Sequence, residues 1–286
     1  MASTPPVVLT IAGFDPSSGA GITADIKTIA AHECYGISCI TAITVQSTKG
    51  VRRVEALASS IIAETLRELV SDLEVAAVHI GMLGTVEGVR VVADFLGTVP
   101  LPHVVLDPVL KSSSGADLLD PAGTRLLIER LIPLAEVITP NLDEASVLTD
   151  LKVANLDQMR EAATRLHALG ALNVVITGGH LERATDLLSF TTKRGVEKEV
   201  FKADRQRSSS THGTGCAFAT ALACHLAHGR GLPEAVLLSK AYVAAAIANA
   251  HSLGRGNGPV HHLYRMNQVR RASAPVAEAE TAHSRN

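Results

Sequence analysis

The run His212-Gly213-Thr214-Gly215-Cys216 places two glycines around a threonine, then a cysteine, at the head of an alanine-rich stretch. Glycines there let the backbone turn sharply and gather consecutive N–H groups at one point, and a helix starting there adds its positive dipole end. Such a nest suits a phosphoryl group in transfer, whose equatorial oxygens share negative charge. An ordinary glycine-rich helix start would read the same way. Cys216 falls in the first helical turn, where the dipole lowers a thiol from its usual value of about 8.5. A thiolate there can take a proton from a substrate hydroxyl. It can equally be a small buried apolar side chain.

Other polar residues stand where apolar ones are expected. Asp25 shares a helix face with Ile22 and Ile29, and an inward carboxylate is costly unless it is paired or used. Gln46 closes an aliphatic run; its amide both donates and accepts, which matches the edge of an aminopyrimidine ring. Asp107, Asn141 and Glu144 follow aliphatic runs, and three such oxygen donors can hold magnesium with its waters and a triphosphate. Asn141 can also cap the next helix, with Glu144 at its third position. His225 with His228, and His261 with His262, lack a third ligand at metal spacing and are not read as metal sites.

Two nucleotide motifs are excluded. Gly19-Ala20-Gly21-Ile22-Thr23-Ala24 matches G-x-G-x-x-A formally, but loop residues separate it from the strand. The next strand also ends in Val45-Gln46-Ser47 rather than in a ribose-binding acid. No G-x-x-x-x-G-K-[ST] occurs.

These residues need elements to carry them. Short aliphatic runs at 7–12, 37–45, 75–80, 103–107, 136–139 and 172–177 read as buried strands. Between two of them, Ile61, Ile62, Leu66, Leu69, Val70 and Leu73 recur at helical spacing. Strand, helix, strand in repetition implies right-handed crossovers and a central parallel sheet. Segments 187–192 and 196–201 read as a hairpin, and 214–228 and 233–252 as helices. Hydrophobic residues make up 47% of the 286 but aromatics only 3%. Ala, Val, Leu and Ile must therefore build the core, as in a sheet covered by helices on both faces. The expected organisation is one domain over 1–271 and a low-complexity tail over 272–286.

A net charge of −2, from 26 basic and 28 acidic residues, lacks the basic excess of a nucleic-acid binder. No apolar run is long enough to span a membrane, and no basic-then-apolar leader is present. The cysteines Cys34, Cys39, Cys216 and Cys224 form no Cys-x-x-Cys pair and read as reduced thiols. A cytoplasmic protein acting on a small molecule, without nucleic acid or membrane, is expected.

The chain resembles the hydroxymethylpyrimidine/phosphomethylpyrimidine kinases of the ribokinase-like superfamily. The likeness rests on Gly13-Phe14-Asp15-Pro16-Ser17-Ser18-Gly19-Ala20-Gly21, Ala24-Asp25-Ile26-Lys27, Val45-Gln46-Ser47-Thr48-Lys49-Gly50 and Gly81-Met82-Leu83. It continues through Leu106-Asp107-Pro108-Val109, Thr139-Pro140-Asn141-Leu142-Asp143-Glu144, Gly178-Gly179-His180 and the 212–216 run. The resemblance implies an α/β three-layer sandwich with a mostly parallel sheet, usually a homodimer, using ATP and Mg2+. Such enzymes phosphorylate the pyrimidine's hydroxymethyl group and then the monophosphate, for thiamine assembly. It places Gly13, Asp25, Gln46, Met82 and Val109 at the pyrimidine, and Asp107, Asn141 and Glu144 at magnesium. Thr177, Gly179, Thr214 and Lys240 fall toward the nucleotide, Gly213, Thr214 and Gly215 at the anion hole, and Cys216 at the base position. Three departures stand out: Phe14 replaces a small Ser or Thr, Ser113 stands where relatives carry Lys (with Lys111 nearby), and Thr177 precedes the glycine pair where many carry Lys. A pyridoxal kinase is the nearest rival; Gln46 favours the aminopyrimidine, since relatives tuned to pyridoxine often carry Met there. The other alternative is a non-catalytic pyrimidine sensor of the same fold.

Overall fold

The computed structural model describes residues 4–179, 181, 183–204, 208 and 210–266. His180 and the tail expected over 272–286 lie outside them. Nine strands form one sheet in the order β3-β2-β1-β4-β5-β6-β7-β8-β9. They are β1 (Val7–Phe14), β2 (Tyr35–Ser47), β3 (Gly50–Ala56), β4 (Val75–Ile80), β5 (Val104–Leu106), β6 (Val137–Ile138), β7 (Asn173–Ile176), β8 (Ala184–Thr192) and β9 (Gly195–Ala203). Pairing is parallel from β2 through β7 and antiparallel for β2–β3, β7–β8 and β8–β9.

The aliphatic strands are buried on both faces because alternate side chains enter separate cores. Leu9 and Ile11 of β1, with Val104 and Leu106 of β5, join the layer of α2 (Ser59–Asp72), α3 (Val86–Thr98) and α6 (Leu156–Ala168). Val8 and Val105, facing the other way, pack on α1 (Gly21–Ala31), α7 (Thr214–Ala227) and α8 (Leu232–Ala248). The result is the expected three-layer α/β sandwich. Two shorter helices, α4 (Pro121–Leu126) and α5 (Leu142–Thr149), follow β5 and β6.

Two elements differ from expectation. β2 runs to Ser47 and turns through Thr48-Lys49 into the unforeseen β3. Residues 50–56 (GVRRVEA) carry little apolar alternation, so only pairing with β2 makes them a strand. The hairpin is longer than expected, with β8 starting at Ala184 and β9 reaching Ala203.

The chain leaves β1 toward β2 on one side and returns to β4 on the other. Strand order therefore reverses between β1 and β4, and the crevice at their carboxyl ends is where open α/β sheets take ligands.

Candidate active site

Gly213 is the residue before α7 and holds φ 79. A Cβ on it would run into the Gly19 carbonyl oxygen, so only glycine lets the two loops approach this closely. Thr214 opens the helix, and the Ala217 N–H returns to the Gly213 carbonyl at 2.9 Å. Gly215 is exposed and faces Asp107, whose Oδ2 would lie 3.9 Å from an added Cβ. The facing loop is shaped by Asp15. Its carboxylate accepts from Ser17 N (2.8 Å), Ser17 Oγ (2.7 Å), Gly19 N (3.2 Å), Ala20 N (3.0 Å) and His212 Nε2 (3.0 Å). Burial pushes Asp15 up, but these bonds, led by His212 and Ser17, more than offset it and keep it below the usual carboxylate range.

Behind the nest lies a dry charged cluster. Asp25, Thr10, His79 and Thr220 are all fully buried. Asp25 accepts from Thr10 Oγ1 at 2.7 Å and from Thr220 Oγ1 at 3.0 Å, and lies 3.4 Å from His79 Nδ1. Burial pulls His79 down, while Asp25 and then Asp107 more than reverse this, so its imidazole is pushed up. Asp107 is driven to about 6, by burial first and by Asp25, against the pull of His79 and a hydrogen bond from the Cys216 thiol. Glu144 is pushed up by burial and by the Asp107 charge. Cys216 goes opposite to the sequence-based expectation. Burial, Asp107 and Asp25 raise its thiol well above the usual value, outweighing the Gly21 N–H that bonds the sulfur. The helix dipole does not win at this position, because burial first, and then the like charges of Asp107 and Asp25, disfavour a thiolate.

The remaining expected residues are placed as follows. Met82 packs with Ala42, Leu118 and Val109, and Gly13 backs onto the Met82 sulfur, which would lie 2.9 Å from a Cβ there. Gln46 reaches the same end of the sheet through Thr44, whose hydroxyl donates to the Phe14 carbonyl at 3.0 Å. Asp25 has no exposed surface and bonds within the Thr10, His79 and Thr220 cluster instead. Asn141 and Glu144 form a reciprocal capping box, each backbone N–H donating to the other's side chain at 2.9 Å. Among the described residues no three His, Cys, Asp or Glu side chains converge on a metal position. Asp107 and Glu144 are nevertheless both raised, Glu144 in part by the Asp107 charge, and a hydrated cation would favour their ionised forms. Thr177 continues the sheet edge by bridging to Asn141, and Gly179 is exposed with open space around it. Lys240 is tied by a 2.6 Å ion pair to Asp186, which also accepts from Gly178 N at 2.9 Å. It thus supports the 178–179 turn from behind. A separate cavity of about 790 Å³ opens at the amino ends of β5, β6 and β7, lined by His103, Leu134 and His167 among others. None of the residues above reaches it.

Three participants were missed as individuals: His79, Thr220 and His212. His79 is a lone polar residue inside an aliphatic strand, and Thr220 a lone hydroxyl in an alanine-rich helix face. That anomaly is the signal that could have found them. Ser113 has its Oγ 3.3 Å from His212 Nδ1.

A glycine turn at a helix start, beside buried carboxylates at the switch point of a doubly covered sheet, suits a small-molecule phosphotransferase. Comparison with known proteins narrows the class. The chain belongs to the phosphomethylpyrimidine kinase family, whose profile matches residues 15–261. It is 43% identical to the hydroxymethylpyrimidine/phosphomethylpyrimidine kinase of Streptomyces coelicolor over 91% of this chain and 95% of that one. It is also 43% identical to the thiamine biosynthesis bifunctional protein of Geobacter sulfurreducens over 92% of its own length, though it spans only 53% of that longer protein. Among solved structures, an ADP complex of Bacillus subtilis pyridoxal kinase superposes with a TM-score of 0.83 at 36% identity, covering 92% of this chain and all of the other. The phosphomethylpyrimidine kinase of Clostridium difficile gives 0.75 at 40%, covering 85% and 99%.

Proposed function

We propose that the chain transfers the γ-phosphoryl group of ATP to the hydroxymethyl oxygen of 4-amino-5-hydroxymethyl-2-methylpyrimidine, and then phosphorylates the monophosphate for thiamine assembly. The observation carrying this reading is the Gly213–Gly215 nest standing next to the Cys216–Asp107 pair.

Main-chain N–H groups at 213–215 take up charge that develops on the migrating phosphoryl oxygens. The substrate oxygen forms the new O–P bond as the bond to ADP breaks. Its proton passes to the Cys216 sulfur while the thiol's own proton moves to Asp107. An acceptor at about 6 is matched to neutral pH, whereas a thiol held well above its ordinary value cannot keep a standing thiolate. Gly13, Met82 and Val109 enclose the ring, and Gln46 reads its polar edge. Asp25 acts from below, through His79, on the charge of Asp107. Thr177, Gly179 and Thr214 line the nucleotide side, with Lys240 bracing the 178–179 turn. Magnesium would come with the nucleotide phosphates and face Asp107, Glu144 and the Asn141 cap through water, supplying charge neutralisation. A homodimer is the working assembly, with the exposed Ile43 and Val45 of β2 as its candidate apolar surface.

The test is mass spectrometry of products formed from the pyrimidine alcohol, ATP and magnesium. Mono- and diphosphate in succession are expected, and binding without turnover would overturn the reading in favour of a sensor. Pyridoxal kinases also lie close in structure, so kcat/KM for the pyrimidine alcohol and for pyridoxine are measured side by side. Equal values would remove the argument from Gln46.

A further inference from the structure

His212 holds a position the reaction scheme above does not use. It is buried, and its ring meets side chains from three separate segments. Nε2 lies 3.0 Å from Asp15 Oδ2 and 3.1 Å from the Gln46 carboxamide nitrogen, and Nδ1 lies 3.3 Å from Ser113 Oγ. Asp15 is an ionised carboxylate, an acceptor only, so Nε2 must carry a hydrogen. That sets a donor against the Gln46 NH2 group as drawn. On the other side of the amide, Gln46 Oε1 lies 3.1 Å from Thr44 Oγ1. The single hydroxyl hydrogen of Thr44 can serve either that oxygen or the Phe14 carbonyl at 3.0 Å, and giving it to the carbonyl leaves Gln46 Oε1 facing a second oxygen. Both contacts are relieved together by exchanging the oxygen and nitrogen of the carboxamide, which are alike in shape.

We propose that His212 is a positioning residue that fixes the Gln46 carboxamide with its oxygen on the His212 side and its NH2 on the Thr44 side. This rests on the reading of Gln46 as the pyrimidine ligand and deepens it. The two outer edges of the amide are then consumed, one by the His212 Nε2–H, whose single hydrogen is shared between Asp15 Oδ2 and the Gln46 oxygen, and the other by the Thr44 oxygen. What remains is the edge between oxygen and nitrogen, one acceptor beside one donor in fixed order. That edge pairs with an exocyclic amine on the His212 side and a ring nitrogen on the Thr44 side. A pyridine substrate with no amine next to its ring nitrogen cannot satisfy both. Selectivity for the aminopyrimidine therefore depends on the ring at 212 as well as on the amide at 46.

The experiment compares kcat/KM for the pyrimidine alcohol with that for the same alcohol lacking its amino group. The wild type should prefer the amine by about tenfold or more, since a buried group left unpaired is penalised. In His212→Leu the preference should shrink to within about twofold, mainly through KM, whereas His212→Gln, which keeps an N–H donor, should retain it. A His212→Leu enzyme that discriminates as well as the wild type overturns the proposal and leaves Gln46 standing. A wild type that does not discriminate removes both the Gln46 reading and this proposal. Independently of any variant, long-range 1H–15N NMR of histidine-labelled protein must show a hydrogen on Nε2 of His212, and a bare Nε2 refutes the assignment.

Discussion

Helix α7 carries a buried polar cluster at each end, and the two treat the same residue types in opposite ways. At its amino end Cys216 and Thr220 meet Asp25, His79 and Asp107. At its carboxyl end Cys224, His225 and His228 gather with His32, Cys34 and Tyr242. Burial alone would neutralise His79 in the first and His32 and His225 in the second. Carboxylates at the amino end push His79 up. At the carboxyl end burial, with nearby cations adding to it, brings His32 and His225 down to about 4. Their Nε2 atoms find no partner among the described residues. A buried histidine facing a carboxylate is an electrostatic device; one facing rings is neutral packing.

Substitutions at the two ends should therefore separate cleanly. The largest effect is expected from Asp25→Ala, which strands His79 in a dry site. Removing one member of such a buried pair should cost about 3–5 kcal/mol in denaturant unfolding, and a loss within experimental error would show that the cluster is not electrostatically bound. Next is Gly215→Val, which crowds the nest: kcat should fall by about 10²–10³-fold while binding of the free alcohol survives. Unchanged turnover would move the anion hole elsewhere.

Cys216→Ala and Asp107→Asn come third. The first phosphorylation removes a hydroxyl proton, whereas the second attacks through a phosphate oxygen that has pKa near 6 and is largely ionised at neutral pH. Both variants should slow the first step by about 10²-fold and the second far less. Equal losses in the two steps would reduce the pair to packing. For the same reason kcat/KM of the first step should fall as pH drops through about 6, where Asp107 takes up its proton, and Asp107→Asn should erase that limb.

The smallest effect is expected at the carboxyl end. His225 is depressed to about 4, so the stability it contributes is full above its unfolded value of about 6.5 and is lost as pH falls toward 4. His225→Phe should flatten the decline of Tm between pH 7 and 5 and leave turnover unchanged. Asp107 has the opposite sign. Its raised value favours the folded state below the ordinary carboxylate range, and that contribution is lost as pH rises toward 6. A change in kcat for His225→Phe would join the two clusters that the structure holds apart.

Much of the fold was legible because its signals are local. The aliphatic runs at 75–80 and 172–177 announced strands, found at Val75–Ile80 and Asn173–Ile176, and the Asn141/Glu144 spacing announced a helix cap, which it is. β3 was not legible, since Arg52, Arg53 and Glu55 mask its alternation and its partner strand supplies the order. In the site, the glycines at 213 and 215 could be read as a nest from backbone geometry alone. The direction of the Cys216 shift could not.

The sequence by itself determined the strand–helix alternation, the turn at Gly213 and the side-chain types available at the strand ends, because backbone conformation and hydrophobic period depend on near neighbours. Tertiary structure alone decided which groups are charged. His79, Asp107 and Cys216 come from three different elements or their ends, and a proton's affinity follows the field and burial those elements create when they meet.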